Sequence, residues 1–208
     1  MLEYSPSIAN YSHVFAENFL GQANRKTLIL DSAESLARSR GYDGFSYADL
    51  EAVVGIRKAS IHHHFSSKAE LATALIKRYC EKFDELIAGI EQSERTGGAR
   101  LQRLINAYED ALDGGDKLCL CVAFSAGNAN LPPEVMQEIA SFQEKSVAWL
   151  KDVFKLGADD FTILRVGNMV DEAHACLALL EGAQLVSRAE RSTAPFMAAT
   201  KLIRDRLV

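Results

Sequence analysis

The sequence predicts an all-α chain of about nine helices, and three observations carry that prediction. Apolar residues recur at three- and four-residue spacing along most of the chain. No stretch alternates apolar and polar residues for long enough to make a half-buried strand. Helix starts and stops also follow one another at short intervals, with Ser46, Ser67 and Pro132-Pro133 as openings and Gly41, Gly55 and Gly114-Gly115 as endings.

The elements follow in order. The first 24 residues contain no Lys or Arg, while Ile8, Tyr11, Val14, Phe15 and Phe19 suggest a short amphipathic helix within an N-terminal extension over 1–24. A helix over Arg25 to Arg40 places Leu28, Ile29, Ala33, Leu36 and Ala37 on one stripe. Ser46 with Asp49 caps a short helix through Val53, with Leu50 and Val53 inward; Gly55 makes the turn, and another helix runs from about Arg57 to Phe65. Ser67-x-x-Glu70 is a capping box that opens a long helix to about Gln92. Gly97-Gly98 reads as a chain break before a helix over Ala99 to Leu112. Lys117 to Asn128 reads as a short buried helix, and Pro132-Pro133 opens one toward Leu156. Asp159 to Arg188 reads as a single long helix, and Ser192 or Thr193 caps the last, ending near Leu207.

Charge divides the chain. The net charge of the 208 residues is −5, yet Arg25 to Tyr79 holds nine Lys and Arg against six Asp and Glu, a surplus of +3 that leaves −8 for the rest. A basic segment in an acidic chain suits a small surface that meets phosphate while the remainder avoids it. No apolar run reaches the roughly 18 residues of a membrane span, and no signal-peptide pattern opens the chain, so a cytoplasmic location is expected. Four cysteines in no zinc-ligand spacing read as reduced thiols. No nucleophile triad, phosphate loop or metal-ligand motif argues for an enzyme, and no cofactor is expected.

Two short helices joined at a tight glycine turn form a geometry that lays one helix across a phosphate backbone and its partner in a major groove. From Ser46 to Lys68, Leu50, Val53, Ile56, Ile61 and Phe65 supply the inner faces. Arg57, Lys58, Ser60, His62, His63 and Lys68 are left outward or at helix starts. The run DLEAVVGIRKASIHHHFSSKAEL, from Asp49 to Leu71, resembles the helix-turn-helix signature of the TetR family of transcriptional regulators, strongly from about Thr27 to Tyr79.

That resemblance implies a DNA-binding domain over 25–72 and a ligand-binding and dimerisation domain over 73–208. It implies base contact by Lys58, a thymine-methyl contact by Ala59 and phosphate contacts by Ser60, Lys68 and the amides of Ser46 and Tyr47. His62 stands where the family usually has Tyr, so its phosphate contact is expected to vary with pH near about 6 to 7. Three consecutive histidines diverge by about 100° each on a helix, which argues against a shared metal. Glu51 departs from the small residue many relatives carry.

The expected partners are a near-palindromic double-stranded operator, a second copy of the chain and a small apolar or aromatic effector; no membrane is expected. Candidate ligand contacts are Phe83, Tyr108, Cys119, Cys121, Phe124, Trp149 and His174, although each also reads as core or interface. The expected dimer stripe is Leu164, Gly167, Asp171, Ala175, Ala178, Gly182 and Leu185, joined by Phe196, Ala199 and Ile203. An alternative input is an electrophile- or redox-sensing thiol at Cys119 or Cys121, with Cys80 or Cys176 as the pairing partner.

Overall fold

A computed structural model describes residues 8–127 and 129–208, with side chains from residue 24 onward. The expected stripe from Ile8 to Phe19 therefore lies outside the described side chains. Nine α-helices run through the described residues, with one 3-10 turn at Asp113–Gly115: α1 Ile8–Arg40, α2 Tyr47–Val54, α3 Lys58–His64, α4 Lys68–Ser93, α5 Gly97–Asp110, α6 Leu120–Ser125, α7 Pro133–Asp159, α8 Met169–Glu190 and α9 Ala194–Arg204. Among the described residues no helix is long and apolar enough to cross a membrane.

Helix α1 starts at Ile8 rather than near Arg25, so its backbone continues through the segment expected to fold separately. Gly41 ends it in the left-handed region, at φ 75°. A Cβ at Gly41 would come 3.3 Å from the Ala123 carbonyl, which lets the end of α1 sit close on α6. Ile29, Ala33, Leu36 and Ala37 are buried as expected, whereas Leu28 is exposed.

Two apolar cores result. One gathers Ile29, Leu50, Ile61, Phe65, Leu71 and Ile76 with the buried α6 and the start of α7. The other gathers Leu101, Leu104, Leu150, Phe154, Leu180 and Phe196 from α5, α7, α8 and α9. Phe83 on α4 packs against both.

Two departures from the sequence expectation share one cause. Gly97-Gly98 does not break the chain but forms the first turn of α5, capped by the Thr96 side chain. The Gly97 amide donates to Asp160 Oδ2 at 2.9 Å and the Gly98 amide to Thr162 Oγ1 at 2.8 Å. A Cβ at Gly97 would stand 2.2 Å from the Gly157 nitrogen, so the start of α5 nests against the end of α7. The same contacts hold Asp160 and Thr162 out of a helix, and the single helix expected over Asp159 to Arg188 divides there.

Ile163 pairs with Leu207 in an isolated antiparallel bridge, and the Leu164 amide donates to the Arg206 carbonyl at 2.8 Å. Helix α8 restarts only after Asn168, whose side chain accepts from the Val170 and Asp171 amides. Leu164 and Gly167 consequently lie on a connecting segment and not on the helical stripe expected of them.

Candidate nucleic-acid interface and effector cavity

The reading element is built by local chemistry. Ser46 and Asp49 form a reciprocal capping box at α2: the Ser46 side chain accepts from the Asp49 amide, and the Asp49 carboxylate accepts from the Ser46 amide at 2.8 Å. The Ser46 amide is thereby occupied within the cap and not free for phosphate, which corrects the expectation; Tyr47 follows it at the first helical position. Gly55 turns the chain at φ 73°, and its amide donates to the Glu51 carbonyl at 2.9 Å. Helix α4 opens with the Ser67 side chain accepting from the Glu70 amide, but the Glu70 carboxylate reaches back to Ser66 rather than Ser67.

Leu50, Ile61 and Phe65 are buried between α2 and α3, while Val53, expected inward, is 60% exposed. Tyr47 is buried too, and its hydroxyl donates to the Phe65 carbonyl at 2.9 Å, pinning α2 to the end of α3. Arg57, Lys58, Ala59, His62 and His63 are exposed and Ser60 is half-buried, so α3 offers one continuous polar face. Among the described residues neither Arg57 nor Lys58 has an ion-pair partner. The His62 ring lies 4.6 Å from the Tyr47 ring, and its Nδ1 is 3.3 Å from the Ser66 carbonyl. A carbonyl only accepts, so Nδ1 carries hydrogen in that contact and the remaining ring nitrogen is left outward.

Lys68 is placed differently from the expected phosphate clamp. Its ammonium lies 4.7 Å from the Tyr42 ring centre and 4.8 Å from that of Phe45. Burial holds its pKa below the ordinary lysine value, partly opposed by Asp43 and Asp49. Two cations absent from the sequence expectation join the face instead. Lys26 lies 5.5 Å from the Phe65 ring centre, and both Lys26 and Arg25 help burial and His63 to lower the His64 pKa. Their signal in the sequence was only their place in the basic segment, because the fold alone brings the start of that segment beside the end of α3.

A cavity of about 200 Å³ opens where α1, α4, α5, α6 and α8 meet. Its lining includes Phe83, Tyr108 and Cys119 from the expected ligand set, together with Arg38, Tyr79, Lys82, Leu86 and Gln184. Gln184 is fully buried, and its amide accepts from the Cys119 backbone at 2.8 Å and donates to the Tyr108 carbonyl at 2.9 Å. It therefore ties α8 to both α5 and the start of α6.

The remaining expected ligand residues lie elsewhere. Phe124 is fully buried edge-on against Tyr42, and Trp149 donates from its indole to Glu91 at 3.0 Å. His174 is exposed at a second groove of about 560 Å³ between α7 and α8, beside Glu181. Burial, and then Cys119, push the Glu181 carboxyl up to about 7.

Cys121 sits behind the cavity in a chain of three thiols. Hydrogen bonds link it to Cys119 and Cys80, and the Tyr79 side chain also bonds Cys119. These donors lower the Cys119 pKa, and Cys121 is correspondingly raised. Cys176 stands apart on α8, pushed up to about 12 chiefly by burial.

Of the expected dimer residues, Asp171, Ala175, Ala178 and Leu185 are exposed on α8 and Gly182 is half-buried. Phe196 at 0% and Ile203 at 5% exposure are buried within the chain, and Ala199 is partly buried against the same core. The expected stripe on α9 is thus its inner face; Met197 and Leu202, at 55% and 72% exposure, mark the outer one.

The profile described as bacterial regulatory proteins of the tetR family matches residues 29–75, the span of the paired helices and their supports. A TetR-family transcriptional regulator from Agrobacterium tumefaciens superposes with a TM-score of 0.83 at 31% identity, covering 90% of this chain and 99% of that one. A TetR regulator from Legionella pneumophila gives 0.77 at 25% identity, covering 87% and 96%. The HTH-type transcriptional repressor NemR of Escherichia coli K12 is 24% identical over 172 residues, covering 80% of this chain and 85% of its own. With a matching helix-turn-helix and a relative alike over nearly the whole chain, this protein belongs to the TetR family of transcriptional regulators.

Proposed function

We propose that the chain is a ligand-responsive repressor that binds a near-palindromic operator as a homodimer and releases it when a small apolar or aromatic effector fills the cavity beside Tyr108. The carrying observation is the α3 face, where Arg57 and Lys58 stand exposed without ion-pair partners among the described residues. Unpaired cations on a helix that projects from a rigid glycine turn favour major-groove entry, with phosphate contacts fixing its register. The similarity to NemR, described as a repressor, supports the sign of regulation.

Dimerisation is assigned to the exposed face of α8 carrying Asp171, Ala175, Ala178 and Leu185, with the outer side of α9 at Met197. Small residues there permit close helix approach. In this reading 25–72 forms the DNA-binding unit and 73–208 the sensing and pairing unit. Gel mobility shift with fragments upstream of the protein's own gene tests the proposal, alongside native mass. A retarded band at twice the chain mass per site supports it, and a lone subunit that ignores every duplex at low salt defeats it.

A second reading rests on the contiguous thiols of Cys80, Cys121 and Cys119. In it, an electrophile such as a quinone alkylates Cys119 and releases DNA. Cys119→Ser and Cys121→Ser proteins that still release the operator on quinone treatment remove that reading.

A further inference from the structure

The cavity beside Tyr108 carries more chemistry than an apolar effector requires. Arg38 reaches into it from the last turn of α1, and among the described residues no carboxylate lies within ion-pair distance of its guanidinium. Its Nε donates to the Leu118 carbonyl at 2.8 Å and one terminal nitrogen donates to the Ala111 carbonyl at the end of α5. Two carbonyl dipoles hold the charge, and the other terminal nitrogen takes no partner among the described residues. Lys82, the other lining cation, is already paired with Glu34 at 3.1 Å. Asp113, which lies close enough to feel Arg38, is paired with Lys117 at 2.8 Å.

A second observation is independent of the first. Tyr108 lines the same cavity and is only 5% exposed, and its hydroxyl oxygen is buried without a hydrogen-bond partner among the described residues. A buried hydroxyl without a partner costs on the order of 1–3 kcal/mol, so a ligand atom that meets it gains an unusual advantage.

We propose that this cavity takes a small organic anion, a carboxylate on a single ring, with its charge received by Arg38 and the Tyr108 hydroxyl and its ring laid against Phe83 and Leu86. The proposal rests on the ligand-responsive reading above and names the class of effector. Size agrees: the space is about 200 Å³, and a cavity of about 150 Å³ is known to hold a benzene ring. The hydrogen-bonding chemistry agrees as well. Burial keeps the Tyr79 and Tyr108 phenols protonated far above their ordinary range, so both remain donors.

Arg38 also supplies the regulatory step. It belongs to α1, which packs on α2 and α4, and it is the residue that ties α1 to the ends of α5 and α6. A carboxylate competing for the guanidinium loosens that tie and biases the placement of α2 and α3. Release of DNA then follows from differential affinity for the two arrangements.

The test uses the full-length protein and two probes of one shape, benzoate and benzamide, in calorimetry and thermal denaturation without DNA. Benzoate is expected to bind at least about tenfold more tightly than benzamide, the size of one charge-assisted hydrogen bond. Arg38→Met is expected to abolish that preference, and Tyr108→Phe to weaken benzoate by about fivefold to tenfold with unchanged helical content. Should Arg38→Met fail to fold, the comparison of acid with amide on the native protein and the Tyr108→Phe result decide the matter. Equal binding of the two probes, binding of neither, or full acid preference retained in both variants overturns the proposal. Operator binding by the ligand-free protein is measured separately. Benzoate binding without any DNA binding sinks the repressor reading and leaves the anion site standing; DNA binding without benzoate binding does the reverse.

Discussion

Arg38 and Leu118 are bonded to each other twice, although 80 residues separate them: the Leu118 amide donates to the Arg38 carbonyl at 3.1 Å, and the Arg38 Nε donates to the Leu118 carbonyl at 2.8 Å. This reciprocal clasp joins the last turn of the helix that supports the DNA-reading pair to the segment that enters α6. With the Ala111 carbonyl as its second acceptor, the guanidinium closes the end of α5, where unsatisfied carbonyls favour a cation.

Arg38→Lys keeps the charge but loses the planar fork that serves two carbonyls at once. The substitution is expected to cost about 1–2 kcal/mol. Thermal denaturation should then show a midpoint lower by roughly 2–8 °C, with little loss of helical signal at low temperature.

Lys58 and Lys68 should separate cleanly. Lys58 is exposed and without an ion pair among the described residues, so Lys58→Ala should weaken operator binding and reduce the slope of log affinity against log salt by about 1, at unchanged thermal midpoint. Lys68 lies over the Tyr42 and Phe45 rings, so Lys68→Ala should lower stability by about 0.5–2 kcal/mol. Fluorescence anisotropy across a salt series, paired with thermal melts, reads both effects.

The contrast between these lysines reflects what a linear sequence encodes. The α2–α3 pair was legible because its signals are local: Ser46 and Asp49 are three residues apart, and Gly55 needs only its own backbone freedom. The buried faces of Leu50 and Ile61 follow from helical period alone. Lys68 was misread because its aromatic partners come from the loop between α1 and α2. The break after α7 was missed for a similar reason. Nothing local in Asp160 or Thr162 announces that both are held by the amides of Gly97 and Gly98, more than 60 residues away. Helix α9 shows the limit of period: Phe196 and Ile203 share a stripe, but spacing does not say whether that stripe faces its own chain or another copy, and it faces its own core. Arg38 was absent from the expected cavity because its partners, the Leu118 and Ala111 carbonyls, lie more than 70 residues away.

Gln184 offers a sharper test of the cavity's frame. Gln184→Ala leaves both the Cys119 amide and the Tyr108 carbonyl buried without their present partner and should cost about 2–4 kcal/mol. Urea denaturation should show a lower midpoint at unchanged slope. A loss below about 0.5 kcal/mol would mean that water or another group replaces the amide readily.

Glu181 predicts a pH dependence of known sign. Its folded pKa is raised to about 7 from an ordinary 4.5, chiefly by burial, and its Oε1 has no partner among the described residues. Below pH 4.5 both folded and unfolded carboxyls hold the proton and the residue contributes no slope. As pH rises from about 4.5 to about 7 the unfolded chain ionises first, so stability declines, and the decline levels above pH 7. Glu181→Gln should remove a decline on the order of 1–3 kcal/mol over that window. Melts of the native and Gln proteins across pH 4 to 8 should therefore converge at the acid end and separate toward neutrality, with the Gln protein the more stable.

The most direct measurement is the salt dependence of binding to a duplex from upstream of the gene, for the native protein and for one in which Arg57 and Lys58 are both alanine. The account predicts a saturable complex of two chains per site that weakens steeply with salt, and for the double variant a far weaker complex with a slope shallower by about 2. A double variant that binds as tightly and with the same slope as the native protein would contradict it.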